Sequence, residues 1–180
     1  VWLDGERVDD LSEGAAARMR RTKLGFVFQS ASLLTLASAR ENVDVSLRLN
    51  GVRGADARSR VEGALDSVGM GERLDHRPDE MSGGEQQRVS IARALVHEPE
   101  YLLADEPTGE LDTATGAGIL QMLKDFAAGG STVFMATHDP AAIDYVDRAY
   151  FVASGALHLP DRDELNLWLT EGTEFSTEGR

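Results

Sequence analysis

The sequence predicts an α/β domain in which buried parallel strands alternate with helices. The main evidence for this fold class is a set of short apolar runs with the length and composition of buried strands. These runs are Leu24–Phe28, Tyr101–Ala104 and Thr132–Ala136. Segments with helical features separate these runs, and that alternation favours a parallel sheet. The stretch from about Leu33 to Glu80 contains no convincing strand, so we expect a helical insertion between the strand-bearing segments.

Each predicted helix has either a capping residue before it or a glycine or proline after it. The helices are predicted over Glu13–Arg21, Ala39–Leu49, Ala55–Val68, Ser82–His97 and Thr113–Ala128. At the N-terminus, Val1–Leu3 is predicted to be a strand that runs into a turn at Asp4 and Gly5. Arg148–Ala153 and Ala156–Leu159 are predicted to form an antiparallel hairpin around Ser154 and Gly155.

Composition restricts the class of protein. The chain has 180 residues, with 31 acidic and 18 basic side chains and a formal net charge of −13, and 42% of its residues are hydrophobic. These values are typical of a globular domain with one core. No apolar run approaches the ~18 residues of a membrane-spanning helix, and no cysteine is present. Because so acidic a surface repels a phosphate backbone, we expect no nucleic-acid partner.

Polar residues directly follow each predicted buried strand. Gln29, the pair Asp105 and Glu106, and the pair Thr137 and His138 occupy these positions. Since ligands bind at the carboxyl ends of parallel strands, we expect these residues to form one site. Of two adjacent acids, one can hold a hard cation such as Mg²⁺ and the other can orient and deprotonate water. Taken alone, the pair Asp105 and Glu106 has a second interpretation, in which the strand simply ends in two solvated acids without a catalytic role.

A second candidate site lies at the start of the helix after residue 82. Ser82 and Glu85 have the spacing of a capping box. Gly83 and Gly84 leave backbone N–H groups uncovered at a helix N-terminus, where an anion such as a phosphate is favoured. A capped helix without a ligand is the simpler alternative. Asp112 is expected to cap the helix that begins at Thr113.

In this order along the chain, these residues resemble the ATP-binding subunit of an ABC transporter. Gln29 resembles the Q-loop glutamine and Met81–Glu85 the signature motif, with Met81 in place of the usual leucine and Glu85 in place of glutamine. The segment from Tyr101 to Asp105 resembles the Walker B strand. Glu106 then takes the place of the catalytic base, Glu110 to Asp112 that of the D-loop, and His138 that of the switch histidine. Within the family, the branch for lipoprotein release and macrolide export is the most similar.

The resemblance implies a P-loop NTPase (RecA-like) core with an inserted α-helical subdomain. It places the core in residues 1–32 and 86–160, the helical subdomain in 33–85, and a C-terminal helix and frayed tail in 161–180. It implies ATP and Mg²⁺ as ligands, with Glu106 and His138 as catalytic residues and Asp105 and Gln29 at the metal. Ser82, Gly83, Gly84, Glu85 and Asp112 would then bind nucleotide, together with Gln29. The implied partners are a second ATP-binding subunit, as a homodimer, and a transmembrane permease at the cytoplasmic face of the membrane.

One part of the family pattern does not occur in these residues. No Gly-x-x-x-x-Gly-Lys-Ser/Thr phosphate loop is found in the 180 residues. Since the chain also opens in a predicted strand at Val1, we expect that an N-terminal portion carrying this Walker A loop is missing. We therefore expect the chain alone to be inactive. The remaining alternatives are a pseudo-ATPase that only binds its partner, and the ATPase head of a DNA-repair or chromosome-maintenance protein.

Overall fold

A computed structural model of the chain describes residues 1–153, 155–161, 163–165 and 169. The chain divides into two compact units, residues 1–137 and residues 138–180.

The first unit begins with a small hairpin and a helix. Strands β1 (Trp2–Leu3) and β2 (Glu6–Arg7) pair antiparallel around the expected turn at Asp4 and Gly5. Helix α1 (Glu13–Lys23) follows, and the Ser12 hydroxyl accepts a hydrogen bond of 3.4 Å from the Ala15 N–H. The predicted cap is therefore confirmed, and the helix ends at Lys23 rather than at Arg21.

A three-stranded parallel sheet forms the centre of this unit, as predicted. Its strands are β3 (Leu24–Val27), β4 (Tyr101–Asp105) and β5 (Thr132–Ala136). They lie side by side in the order β3-β4-β5, so all three carboxyl ends meet at one edge. Each strand was predicted to within one residue of its observed bounds.

The predicted insertion between β3 and β4 is helical. Helix α2 (Ala39–Leu49) begins with a capping box between Ser38 and Glu41, and helix α3 (Gly54–Ser67) packs against it. The charged stretch from Leu74 to Glu80 follows α3 and ends in a single 3₁₀ turn over Pro78–Glu80.

Two further helices complete the unit: the second has the predicted bounds, whereas the first begins one residue after Ser82, which caps it, and ends two residues before the predicted His97. Helix α4 (Gly83–Leu95) follows Ser82 and helix α5 (Thr113–Ala128) follows Asp112. Most of the buried apolar side chains of this unit form one cluster, contributed by the sheet, by α2 to α5 and by residues next to these helices. Gly25 allows β3 to approach α4, because a methyl group at Gly25 would come 2.6 Å from the Ala94 carbonyl oxygen.

One core expectation is wrong. The run Leu24–Phe28 predicts that Phe28 belongs to the core, but the Phe28 side chain is 46% exposed and stacks on Phe26 with ring centroids 6.2 Å apart. The β3 side chains alternate between the two faces of the sheet, and only the face that carries Gly25 and Val27 is fully buried.

The second unit contains a 3₁₀ helix over Pro140–Tyr145 and a hairpin. Strands β6 (Phe151–Ala153) and β7 (Ala156–His158) pair antiparallel, which confirms the predicted hairpin with a shorter first strand. The predicted C-terminal helix and frayed tail lie outside the described residues, apart from 161, 163–165 and 169. The domain boundaries at 32/33, 85/86 and 160/161 stay predictions. Among the described residues no helix combines the length and apolarity needed to cross a membrane.

Candidate functional site

The sheet brings most of the predicted strand-end residues to a common edge. Asp105 is the last residue of β4 and Glu106 follows it, while Gln29 lies two residues beyond β3. Thr137 directly follows β5, the neighbour of β4 on its other side. His138 comes next in the chain but begins the second unit, so its place in the site stays a prediction.

Glu106 is held in an unusual backbone conformation. Its φ angle is +45°, a left-handed value that costs free energy in a residue with a side chain. Two bonds to β5 hold it: its N–H donates to the Ala136 carbonyl oxygen at 2.8 Å, and its carboxylate accepts from the Thr137 hydroxyl at 3.1 Å. Asp105, in contrast, is exposed. The adjacent acids therefore occupy different environments, as separate roles require.

Gln29 lies close to the turn that follows Glu106. A methyl group at Gly109 would come 3.4 Å from the Gln29 side-chain nitrogen and 3.5 Å from Cβ of Glu106. Gly109 thus contacts both residues, and a larger side chain there would press on them. In the sequence, Gly109 lies three positions after Glu106 and three before Asp112, and no local pattern predicts its place beside Gln29.

Asp105 and Gln29 are the residues at this edge that could hold a magnesium ion. The described residues contain no cluster of three or more potential metal-ligating side chains. Mg²⁺ needs no such cluster, because it commonly keeps several waters and binds one or two protein oxygens together with the phosphates of a substrate. A carboxylate and an amide oxygen following adjacent strands match that donor set.

The capping box at Ser82 is confirmed. The Ser82 N–H and hydroxyl donate to Oε2 of Glu85 at 2.8 Å and 3.0 Å, and the Ser82 hydroxyl accepts from the Glu85 N–H at 3.3 Å. The bond from the Ser82 backbone, followed by the one from its side chain, lowers the pKa of Glu85 below its usual value. Glu85 is therefore an ionised cap in this chain.

Asp112 caps helix α5, also as predicted. Its Oδ1 accepts from the N–H groups of Ala114 and Thr115, both at 3.1 Å, and its Oδ2 accepts from the Thr115 hydroxyl at 2.6 Å. The Thr115 hydroxyl is the main cause that lowers the pKa of Asp112. Thr115 was missed by the sequence analysis, although a threonine three residues after a capping aspartate is a recognisable pair.

The N-termini of α4 and α5 open onto one shared cavity of about 500 Å³. Its lining residues are Ser82, Gly83, Gly84, Glu85, Arg88, Glu110, Leu111, Asp112 and Thr115. Gly84 permits this close approach, because a methyl group there would come 2.5 Å from Cγ2 of Thr115. The N-terminus of α4, with its uncovered glycine N–H groups, favours an anion, whereas the first N–H groups of α5 already donate to the Asp112 carboxylate.

The site residues of one chain therefore fall into two groups. Gln29, Asp105 and Glu106 lie at the sheet edge, and the residues from Ser82 to Glu85 lie with Asp112 around the cavity. The segment from Pro107 to Leu111 connects the groups. One group offers carboxylates and an amide, and the other offers the N-terminus of α4.

Comparison with known proteins decides the family. The sequence profile of the ABC transporter family matches residues 1–109. The chain belongs to the ABC transporter family. A Thermotoga maritima protein described as an uncharacterized ABC transporter ATP-binding protein is 44% identical over 144 residues, which are 80% of this chain and 62% of that protein. The macrolide export ATP-binding/permease protein MacB of Brucella melitensis is 40% identical over 171 residues, 95% of this chain and 26% of MacB.

Solved structures confirm the P-loop NTPase fold. A dimeric structure of the ATP-binding cassette MJ0796, in a post-hydrolysis state bound to ADP and Pi, matches with a TM-score of 0.77 at 36% identity. The match covers 91% of this chain and 72% of that one. This chain thus has the fold of an ABC cassette, and it spans less than two thirds of the Thermotoga relative.

Proposed function

We propose that the intact protein is the ATP-hydrolysing subunit of a transporter that exports or extracts its substrate through a membrane permease. The observation that carries this proposal is the division of the site into two complementary groups on one ABC-type chain. Carboxylates at the sheet edge suit a metal-bound phosphate and an attacking water, and glycine N–H groups at a helix start suit a phosphate. MacB and MJ0796, which match this chain, are described as an export ATP-binding/permease protein and as a dimeric ATP-binding cassette.

In this proposal, two copies face each other and each site takes one group from each copy. One copy supplies Gln29, Asp105, Glu106 and His138, and the other supplies Ser82, Gly83 and Gly84 with Glu85 as their cap and Asp112 beside them. Because neither copy holds a complete site, hydrolysis requires the two copies to close. Closure would then move the permease at the cytoplasmic face of the membrane through the helical insertion, α2 and α3.

Phosphoryl transfer depends mainly on positioning and on neutralising charge. Asp105 and Gln29 would hold Mg²⁺ together with ATP, and the bound ion would supply much of that neutralisation. Glu106 accepts a proton from the attacking water and is aimed by its strained backbone and by Thr137. The N–H groups at the start of α4 stabilise negative charge on the terminal phosphate of the partner copy. Since Glu85 accepts the Ser82 hydroxyl hydrogen, the hydroxyl must rotate before it can donate to a phosphate.

The two alternative functions, a DNA-repair or chromosome-maintenance ATPase head and a pseudo-ATPase, have weaker support than a transporter ATPase. A DNA-repair or chromosome-maintenance head has a long coiled coil between the two motif groups, whereas here α2 and α3, of 11 and 14 residues, lie between Gln29 and Ser82. A pseudo-ATPase would not need the strained Glu106. We also propose that the 180 residues alone bind Mg-ATP poorly, because the sequence contains no Walker A loop. The test therefore uses the full-length protein.

Glu106→Gln decides between enzyme and pseudo-ATPase. It keeps the shape and an acceptor for Thr137 but removes the base, so steady-state hydrolysis should fall by at least about a hundredfold. The variant should still form the ATP-bound dimer, measured by size-exclusion chromatography with Mg-ATP. Glu72→Gln, an exposed acid in a 3₁₀ turn, is the control. Unchanged hydrolysis in Glu106→Gln would remove Glu106 from its proposed role, and a wild-type protein without hydrolysis would support the pseudo-ATPase.

A further inference from the structure

Gln87 is a buried polar residue that the proposed mechanism does not use. It lies on α4, five positions after Ser82, and its side chain is only 2% exposed. Its amide nitrogen donates to the Phe28 carbonyl oxygen at 3.1 Å and to the Pro107 carbonyl oxygen at 3.0 Å. Burial of an amide costs free energy unless such bonds compensate it. Both N–H bonds of this amide are therefore committed to backbone acceptors distant in sequence.

The two acceptors adjoin the sheet-edge group. Phe28 is the residue before Gln29, and Pro107 is the residue after Glu106. A single side-chain amide thus bridges the ends of the neighbouring strands β3 and β4. Because Gln87 belongs to the helix that begins at Ser82, the same bonds connect the sheet edge to the signature helix of the same chain.

A second side chain of α4 holds the far side of the Gln29 loop. The Arg93 guanidinium donates to the Ala31 carbonyl oxygen at 2.9 Å and to the Ser32 carbonyl oxygen at 2.8 Å. Ser32 has a φ angle of +47°, so this backbone too is held in a left-handed conformation. The loop is consequently fixed to α4 both before and after Gln29.

We propose that Gln87 is a positioning residue, which keeps Gln29 and Glu106 at a fixed place relative to Ser82 on the signature helix. This inference rests on the proposed function for its catalytic consequence. Within one copy, Gln29 and Glu106 would contact that copy's own nucleotide, and the start of α4 would contact the nucleotide of the partner copy. The Gln87 bonds make these two parts of the chain move as one body. Loss of the amide would let the two strand ends shift independently, and sub-ångström to ångström misplacement of catalytic groups slows a reaction strongly.

The first measurement tests the tether without any nucleotide. Gln87→Met keeps the side-chain volume and removes both donors, so amide hydrogen exchange of the 180-residue chain should accelerate in residues 27–31 and in residues 105–109 together. Asn50→Leu is the matched control, because the Asn50 amide also bridges two carbonyl oxygens, those of Arg21 and Ser46 at 3.0 Å and 2.9 Å, far from the site in sequence. It should leave exchange in both segments unchanged.

The second measurement tests the catalytic consequence in the full-length protein. Gln87→Met should lower kcat by about tenfold to about a hundredfold while KM for ATP changes little, because positioning acts on the reacting groups more than on binding. Gln87→Glu is the second variant. An ionised carboxylate has no donor for the two carbonyl oxygens, and protonation supplies one O–H that can restore one of the two bonds. The activity of Gln87→Glu relative to the wild type should therefore rise in part as the pH falls.

The outcomes separate this inference from the proposed function. Unchanged exchange in either segment, an equal kcat in Gln87→Met, or the same loss in Asn50→Leu would overturn the positioning role. If the wild-type protein hydrolyses no ATP, the proposed function fails, and coupled exchange in the two segments still supports the tether. A pH profile of Gln87→Glu identical to that of the wild type would also count against it.

Discussion

At the scale of single residues, His97 shows how burial sets a protonation state. Its Nε2 lies 3.1 Å from the Leu24 carbonyl oxygen, and because a carbonyl can only accept, Nε2 carries the hydrogen. Its Nδ1 is buried without a hydrogen-bond partner in the part of the chain that the structure describes. Burial is the main cause that lowers the pKa of His97 below its usual value, and the bond to Leu24 opposes this in part. His97 is therefore neutral in the folded chain.

This neutral histidine predicts a pH-dependent stability. In the unfolded chain His97 titrates near its ordinary pKa of about 6.5, and in the folded chain it titrates lower. The unfolded state thus binds more protons below that value, and the unfolding free energy should fall as the pH drops from about 7 toward the folded pKa. In His97→Gln, whose amide can still donate to Leu24 but does not titrate, this part of the slope should disappear. Urea unfolding at several pH values measures how the unfolding free energy depends on pH. The same dependence in the wild type and in His97→Gln would contradict the prediction.

Residues with local roles are those that the sequence predicts best. Ser12, Ser82 and Asp112 cap the helices that follow them, as their positions indicate, because a cap depends on neighbours within three residues. Gln87 and Phe28 could not be assigned in this way. The partners of Gln87 are 59 and 20 positions away, and the exposure of Phe28 depends on which face of the sheet is covered.

At the scale of elements, helices and strands match the prediction because each has a strong local signal. Apolar runs flanked by turn residues give β3 to β5, and caps with glycine or proline stops give α1 to α5. What the sequence does not contain is the distance between elements. The shared cavity of α4 and α5 exists because Gly84 lies against Thr115. The sequence predicts an anion site at Gly84, but it does not predict that contact.

The approach of α4 to α5 predicts opposite effects for two adjacent glycines. A methyl group at Gly84 would come 2.5 Å from Cγ2 of Thr115, whereas at Gly83 its nearest neighbour would be Leu111 at 4.0 Å. Gly84→Ala should therefore destabilise the chain by about 1–3 kcal/mol through overpacking. Gly83→Ala should be neutral or stabilising by up to about 1 kcal/mol, because alanine favours the helix.

A double variant identifies the cause. Thr115→Ser removes Cγ2 and keeps the hydroxyl that donates to Asp112, so it should recover most of the stability lost in Gly84→Ala. Urea unfolding of the single and double variants gives the coupling free energy. Equal losses in the presence and absence of Cγ2 would show that the contact with Thr115 does not explain the effect.

At the scale of the whole molecule, the side chains of the three parallel strands are more buried on one face of the sheet than on the other. In the strand register, Phe26 lies beside Leu103, and Leu103 beside Phe134. Phe134 is 56% exposed, and Phe28, stacked on Phe26, is 46% exposed. Parallel sheets are ordinarily covered on both faces, so this apolar row is unusual. The apolar runs predict buried strands, but they do not show that the side chains on one face of these strands are more exposed than those on the other.

The open row predicts how the 180-residue chain behaves in solution. Contiguous exposed apolar side chains bind hydrophobic dyes and promote association between molecules. An isolated exposed apolar side chain has a weaker effect on both dye binding and association. Phe134→Gln should therefore reduce both the fluorescence of bound ANS and the light scattering at a given protein concentration. Leu49→Gln is the control, because Leu49 is 62% exposed on α2 and lies outside this row. If the two substitutions have equal effects, the row does not act as one surface, and total exposed apolar area governs association instead.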